Sequence, residues 1–150
     1  MPDAAAVIAL HDLRHRYADT VTRRAWTEMA ELFTNDCPIT LDLRGQELQF
    51  TGGSEIANFI ESAIRDFDFF VVAIVNLTTE TISPRRAAGR MYICELRHEP
   101  ATATFSQAFG LYRDEFVCSD DGRWRFAHRR YASLGRFDGA AFTAFELPEG

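Results

Sequence analysis

Two β-rich runs, Tyr112-Arg-Asp-Glu-Phe116 and Arg123-Trp-Arg-Phe-Ala-His-Arg-Arg-Tyr131, are separated by Cys118-Ser-Asp-Asp-Gly122. An Asp-Gly pair between such runs is a strong short-range hairpin signal, because both central residues of the tight turn must tolerate positive φ. The chain therefore closes on an antiparallel ribbon. At its other end, Leu10, Leu13, Tyr17 and Val21 recur at helical spacing, with His11, His15 and Asp19 on the opposite stripe.

Between these ends the pattern predicts a helix over 5–22 and a second over 24–33, stopped by Thr34-Asn-Asp-Cys-Pro38. Short strands follow over 39–43 and 48–51. Gly52-Gly53-Ser54 then opens a third helix, with Ser54 as its N-cap and Ile56, Phe59, Ile60, Ala63 and Ile64 as its buried stripe. Longer strands are expected over 69–82, 88–98, 104–117 and 123–134. Helices first and a mostly antiparallel meander afterwards indicate an α+β domain, with helices packed on one face of a curved sheet. No internal repeat, linker or low-complexity tract interrupts residues 1–150, which read as a single domain.

Strand parity puts Ser106, Ala108 and Gly110 on one face and Phe105, Phe109 and Leu111 on the other. A face of small residues leaves volume that helices or a ligand must fill. In the last strand, alternation groups Trp124, Phe126, His128 and Arg130 against Arg125, Ala127, Arg129 and Tyr131. The 13 phenylalanines supply enough apolar area for a core, a ligand pocket or both.

A chain of 150 residues can bury about 70% of its unfolded surface. A net charge of −6 argues against a nucleic-acid footprint, which needs clustered positive charge. No apolar run approaches the roughly 20 residues of a membrane span. The N-terminal Met-Pro-Asp-Ala-Ala-Ala lacks the basic segment of a signal peptide, so a cytoplasmic location is expected. Every cation is arginine, which excludes lysine Schiff-base chemistry. Cys37, Cys94 and Cys118 are odd in number and lack CxxC spacing, so neither a zinc knuckle nor a disulfide framework is indicated. Cys94 reads as a buried small hydrophobe within a strand.

Several side chains could carry chemistry. His11 and His15 stand at i and i+4, a two-histidine metal spacing, but without a third ligand they read as a solvated face. No metal site is expected. Gly52-Gly53 before a helix is weak evidence for anion binding and reads as a turn. His98 near a strand end and His128 beside Trp and Phe are acid–base candidates, with structural or interface roles as the alternative. Asp114 shares a strand face with Tyr112. It could abstract a proton, or it could pair with one of the last-strand arginines.

The pieces Arg16-Tyr17-Ala-Asp-Thr-Val21 leading to Trp26 and Leu32-Phe33, Gly53-Ser-Glu-Ile56, Asn76 with Ala88-Gly-Arg-Met-Tyr92, and Tyr112 through Phe126 occur in a telling order. The chain resembles the nuclear transport factor 2-like superfamily in its SnoaL-like and scytalone dehydratase-like branch. That resemblance implies a cone of curved sheet with helices over its concave face, a deep apolar pocket and a homodimer formed through the sheet. It implies enzymes such as dehydratases, isomerases and polyketide cyclases, generally cofactor-free, acting on a small hydrophobic, aromatic or polyketide-like molecule. Many members pair an Asp with a His. At those two places this chain has Thr22 and Val72, while the first-helix Tyr17 is retained.

On this resemblance Tyr17 would polarise a substrate oxygen, and Asp114, His98 or His128 would move the proton. Thr22, Trp26, Phe33, Val72, Met91 and Phe142 would contact the substrate. Residues 135–150 resemble a phenylalanine-bearing extension that closes the pocket, with Phe137, Phe142 and Phe145 as its lid; packing on the outer sheet or a second subunit is the alternative. Three functions remain open: a lyase, isomerase or cyclase; a non-catalytic ligand-binding protein; and a structural subunit like the β subunit of a ring-hydroxylating dioxygenase. If Thr22 and Val72 face the pocket and no histidine or carboxylate does, binding is favoured over catalysis.

Overall fold

The structure is a computed structural model, and it describes residues 3–149. Helix α1 spans Ala4–Thr22, and the Asp3 carboxylate caps it by accepting from the Ala5 N–H at 3.2 Å. Its inward stripe is the expected one: Leu10, Leu13, Tyr17 and Val21 are all buried. Arg14 is buried too. It gives Nε–H to the Leu10 carbonyl and Nη1–H to that of Thr78, and it lies over the Phe116 ring.

Helix α2 is only Trp26–Ala30, shorter than the 24–33 expected. Arg24 takes φ 58, which breaks the helical path on the N-terminal side. On the other side Leu32 and Thr34 spend their backbone groups on Phe126: its N–H donates to the Leu32 carbonyl, and its carbonyl accepts from Thr34 N–H, both at 2.9 Å. Strands β1 (Pro38–Asp42) and β2 (Glu47–Thr51) follow. Helix α3 covers Gly52–Ala63 with Thr51 at its cap, so Ser54 lies inside the first turn rather than at the cap. Gly52, at φ 81, makes the corner that permits this earlier start.

Strands β3 (Phe69–Ser83), β4 (Arg86–Glu99), β5 (Thr104–Cys118) and β6 (Trp124–Phe137) form the meander, and β7 (Phe142–Ala144) folds back on β6. The sheet order is β2-β1-β6-β5-β4-β3, with β7 also on β6. All pairings are antiparallel except β1 with β6. The sheet is curved and unclosed, and α1 and α3 cover its concave side. Among the described residues, no helix is long and apolar enough to cross a membrane.

The β5–β6 connection departs from the tight two-residue turn. Gly122 alone has positive φ, at 81, and its N–H donates to the Ser119 carbonyl at 2.9 Å. The result is a wider loop of the type in which a turn is followed by a left-handed glycine.

Two bulges on β6 set which side chains point inward. Glu115 pairs with His128 but Phe116 with Phe126, leaving Ala127 as the extra residue; Phe109 pairs with Gly135 but Gly110 with Ser133, leaving Leu134 extra. Each insertion reverses the alternation that follows. Phe126 therefore shares the concave face with Arg129, Tyr131, Ser133 and Arg136, whereas strict parity would put Phe126 opposite Arg129. His128 and Arg130 go to the convex face.

Candidate active site

On β5 the small-residue face points inward, and its volume is partly filled by a ring. A Cβ placed on Gly110 would lie 2.0 Å from a Tyr131 ring carbon, so glycine is what lets that ring lie against the strand. Beyond the ring, the concave face, α1 and α3 enclose a cavity of about 280 Å³. One side of it is apolar, formed by Val21, Ile56, Ile60, Ile64, Phe70, Val72 and Ile93. The other is polar, with Tyr17, Tyr112 and Tyr131, Glu95, Ser133, Arg97, Arg129 and Arg136.

Arg129 organises the polar side. Its Cζ lies 4.2 Å from the Tyr17 ring centroid, 3.9 Å from that of Tyr112 and 4.1 Å from that of Phe126. Stacking on ring faces, together with a two-point ion pair to Asp114, is what a buried guanidinium needs to remain charged. Burial by itself would lower the Arg129 pKa, but Asp114 outweighs it and the net shift is upward. One donor is left over: Arg129 Nη1 is buried and has no hydrogen-bond partner.

The Tyr17 and Tyr112 hydroxyls meet at 3.0 Å. One donates to the other, so the pair keeps one O–H free to serve a third acceptor. Burial pushes the pKa of Tyr17 upward, offset in part by Arg129; burial likewise raises Tyr112 and Tyr131. All three phenols stay protonated at neutral pH and act as donors.

Glu95 is the carboxylate of this cavity. It forms no side-chain hydrogen bond or ion pair among the described residues, although part of its surface faces the void. Desolvation by the surrounding protein raises its pKa, and Arg97 opposes the shift. Its charge bears on Tyr17, Tyr112 and Tyr131 alike, so it is electrostatically coupled to the whole phenol cluster.

Of the residues singled out from the sequence, Tyr17 and Val72 line this cavity. Asp114 lies behind Arg129. Thr22 turns its hydroxyl to the sheet, where Oγ1 accepts from the Val72 N–H at 3.1 Å. Met91 is fully buried in the core and outside the lining. Trp26 and Phe33 border a separate, open groove of about 770 Å³ beside Asn58 and Arg125. His128 stands with Arg130 at the convex face. His98 Nδ1 lies 2.6 Å from Asp68 Oδ1 and is partly exposed, so an imidazole–carboxylate couple exists, but outside the cavity lining. Phe142 is 58% exposed and meets Phe109 edge-on, while Phe145 lies against Arg44 and Arg136. His15 Nδ1 is 2.7 Å from the His11 carbonyl oxygen, and no group of three metal-ligating side chains converges among the described residues. Burial pushes the Cys37 thiol to about 12 and raises Cys94, so neither offers a thiolate at neutral pH.

Glu95, Arg97, Arg136, Tyr131 and Ser133 were not candidates on sequence grounds. Glu95 and Arg97 alternate with His98 on β4, and a period-two reading centred on the cavity would have found them. Arg129 and Arg136 carry no such signal, because the bulges at Ala127 and Leu134 decide their side.

The model of the family described as SnoaL-like domain matches residues 2–130. The chain belongs to the SnoaL-like family. This SnoaL-like fold, of the nuclear transport factor 2-like superfamily, is shared by several solved structures. One is a putative scytalone dehydratase from Novosphingobium aromaticivorans, 18% identical at a TM-score of 0.81, covering 97% of this chain and 95% of that one. Another is a hexachlorocyclohexane dehydrochlorinase, LinA-type3, from Novosphingobium barchaimii, 19% identical at 0.78, covering 96% of each. A nuclear transport factor 2-like protein with a cystatin-like fold from N. aromaticivorans is 22% identical at 0.70, covering 94% of each. No functionally curated protein matches the sequence. The family match ends before Tyr131, Ser133 and Arg136, so part of the polar wall lies beyond it.

Proposed function

We propose that this SnoaL-like protein is a lyase or isomerase that moves a proton on a small hydrophobic carbonyl or hydroxyl compound, using side chains alone. The observation that carries the reading is Glu95, a partnerless carboxyl in a largely apolar cavity whose pKa burial raises. A base with a pKa nearer neutrality is a more effective proton carrier. Two proteins of the same fold are named for chemistry of this class, a putative scytalone dehydratase and a hexachlorocyclohexane dehydrochlorinase.

In this reading the Glu95 carboxylate takes a proton from the carbon next to a carbonyl. The C–H electron pair moves toward the carbonyl oxygen, where the free O–H of the Tyr17–Tyr112 pair donates a hydrogen bond, with the charge of Arg129 behind the two rings. The enolate then either expels a leaving group at the neighbouring carbon or takes the proton back from Glu95 at a new position. The first outcome is elimination and the second isomerisation. A carboxylate facing the cavity also favours catalysis over mere binding, despite Thr22 and Val72 at the two customary positions.

The test is deuterium incorporation from D2O into cyclic ketones with acidic α C–H bonds, 2-tetralone among them, followed by NMR. The wild type should exchange faster than buffer, and Glu95→Gln should slow the enzymatic rate by about 10²–10⁴-fold. Exchange across the panel no faster than buffer, or an unimpaired Glu95→Gln, would overturn the proposal.

A further inference from the structure

Glu95 on β4, Ala108 on β5 and Arg136 on β6 are register partners in one row across the concave face. All three line the cavity. Neighbouring strands lie about 4.8 Å apart, so the single methyl of Ala108 leaves a slot roughly two strand spacings wide between a carboxyl and a guanidinium. Arg97 faces the same space across from Ser106.

Both arginines hold donors in reserve. Arg97 gives Nε–H to Ser106 Oγ at 3.2 Å, and its two Nη groups have no hydrogen-bond partner among the described residues. Arg136 uses Nη2 for the Leu43 carbonyl and for Ser133 Oγ, which leaves Nε and Nη1. Aromatic rings brace them, Phe67 beneath Arg97 at 5.5 Å and Phe145 beneath Arg136 at 5.3 Å. Neither is in an ion pair among the described residues, unlike Arg129. Arg129 is already paired with Asp114, so against Glu95, the one carboxylate of the cavity lining, Arg97 and Arg136 leave an excess of one positive charge. A cation drawn partly out of water is costly until a counter-charge arrives.

We infer that the ligand of this cavity is an apolar ring compound bearing a carboxylate, which Arg97 and Arg136 hold over the Ala108 slot while the ring lies against Ile60, Ile64, Phe70 and Val72. A single negative charge suits the site better than a phosphate dianion, since Glu95 shares the row. The planar fork of guanidinium matches the two oxygens of a carboxylate. This places the ring carbons beside Glu95, and in that respect the inference rests on the proton-transfer reading above.

Binding of 2-naphthoate and of its neutral isostere 2-naphthamide, measured by calorimetry at pH 7, tests it. The wild type should prefer the carboxylate by about 10- to 100-fold, the range for a charge-assisted hydrogen bond. Arg97→Gln and Arg136→Gln should each lose most of that preference, and Arg136→Lys should keep much of it. Equal affinity for the two probes in the wild type, binding of neither, or an undiminished preference in both glutamine variants would overturn the inference; the wild-type comparison stands even where a variant fails to fold. Selectivity intact with no proton exchange would remove the proposed reaction alone, and exchange intact without selectivity would remove this inference alone.

Discussion

Arg129 and Asp114 face each other across β5 and β6 and are joined twice, Nε to Oδ1 at 2.7 Å and Nη2 to Oδ2 at 2.9 Å, with each side chain only 1% exposed. The pair is the hinge between fold and chemistry. It keeps a guanidinium inside the aromatic box of Tyr17, Tyr112 and Phe126, and so fixes where the cavity's polar side begins.

Breaking one half of that pair leaves an uncompensated buried charge. Asp114→Asn should destabilise the protein by about 3–5 kcal/mol, read by urea denaturation. Replacing both partners with apolar residues of similar volume, Asp114→Leu with Arg129→Met, should cost clearly less than Asp114→Asn alone. A neutral effect of Asp114→Asn would show that the pair is not holding Arg129 in place.

Glu95 should carry a stability penalty that grows with pH. Its folded pKa is raised by desolvation above the ordinary 4.5, so the native state binds more protons than the unfolded chain between the two values. Stability therefore falls as pH rises through that window; below it the penalty is absent, and above the folded pKa it is complete. Glu95→Gln should melt like the wild type in acid and at a higher temperature at neutral pH, while losing proton exchange. A variant less stable than the wild type at neutral pH would contradict the burial argument.

Gly110→Ala should push the Tyr131 ring out of its place, since the new methyl would lie 2.0 Å from a ring carbon. Overpacking of this kind costs about 1–3 kcal/mol. Denaturation should show the loss, and near-ultraviolet circular dichroism should report the moved tyrosine.

Thr22→Val should act on stability rather than turnover. It removes the acceptor that Thr22 Oγ1 offers to the Val72 N–H and leaves that donor unsatisfied, at about 1–3 kcal/mol. Proton exchange per folded molecule should change by no more than about twofold. A large loss of exchange with unchanged stability would give Thr22 a direct role with substrate.

Element order and class were legible because apolar periodicity is local: the α1 stripe through Tyr17, the α3 stripe through Ile56 and Ile60, and the alternation of β3 to β6 follow from neighbours in the chain. The inward small face of β5 at Ala108 and Gly110 was equally readable. The end of α2 was not, because Leu32 and Thr34 give their backbone bonds to Phe126 on a distant strand. Glu95 was not legible as a site residue, because nothing adjacent in sequence says that its carboxyl lacks a partner; that depends on which strands surround it.

Local pattern thus sufficed for an α+β chain with a first-helix tyrosine aimed at a curved sheet. Which arginines enter the cavity was settled by assembly. Ala127 and Leu134 are extra residues only with respect to their partners on β5, and a register between two strands is a property of the pair. The same holds for Glu95, whose pKa is raised by the burial that the assembled cavity imposes.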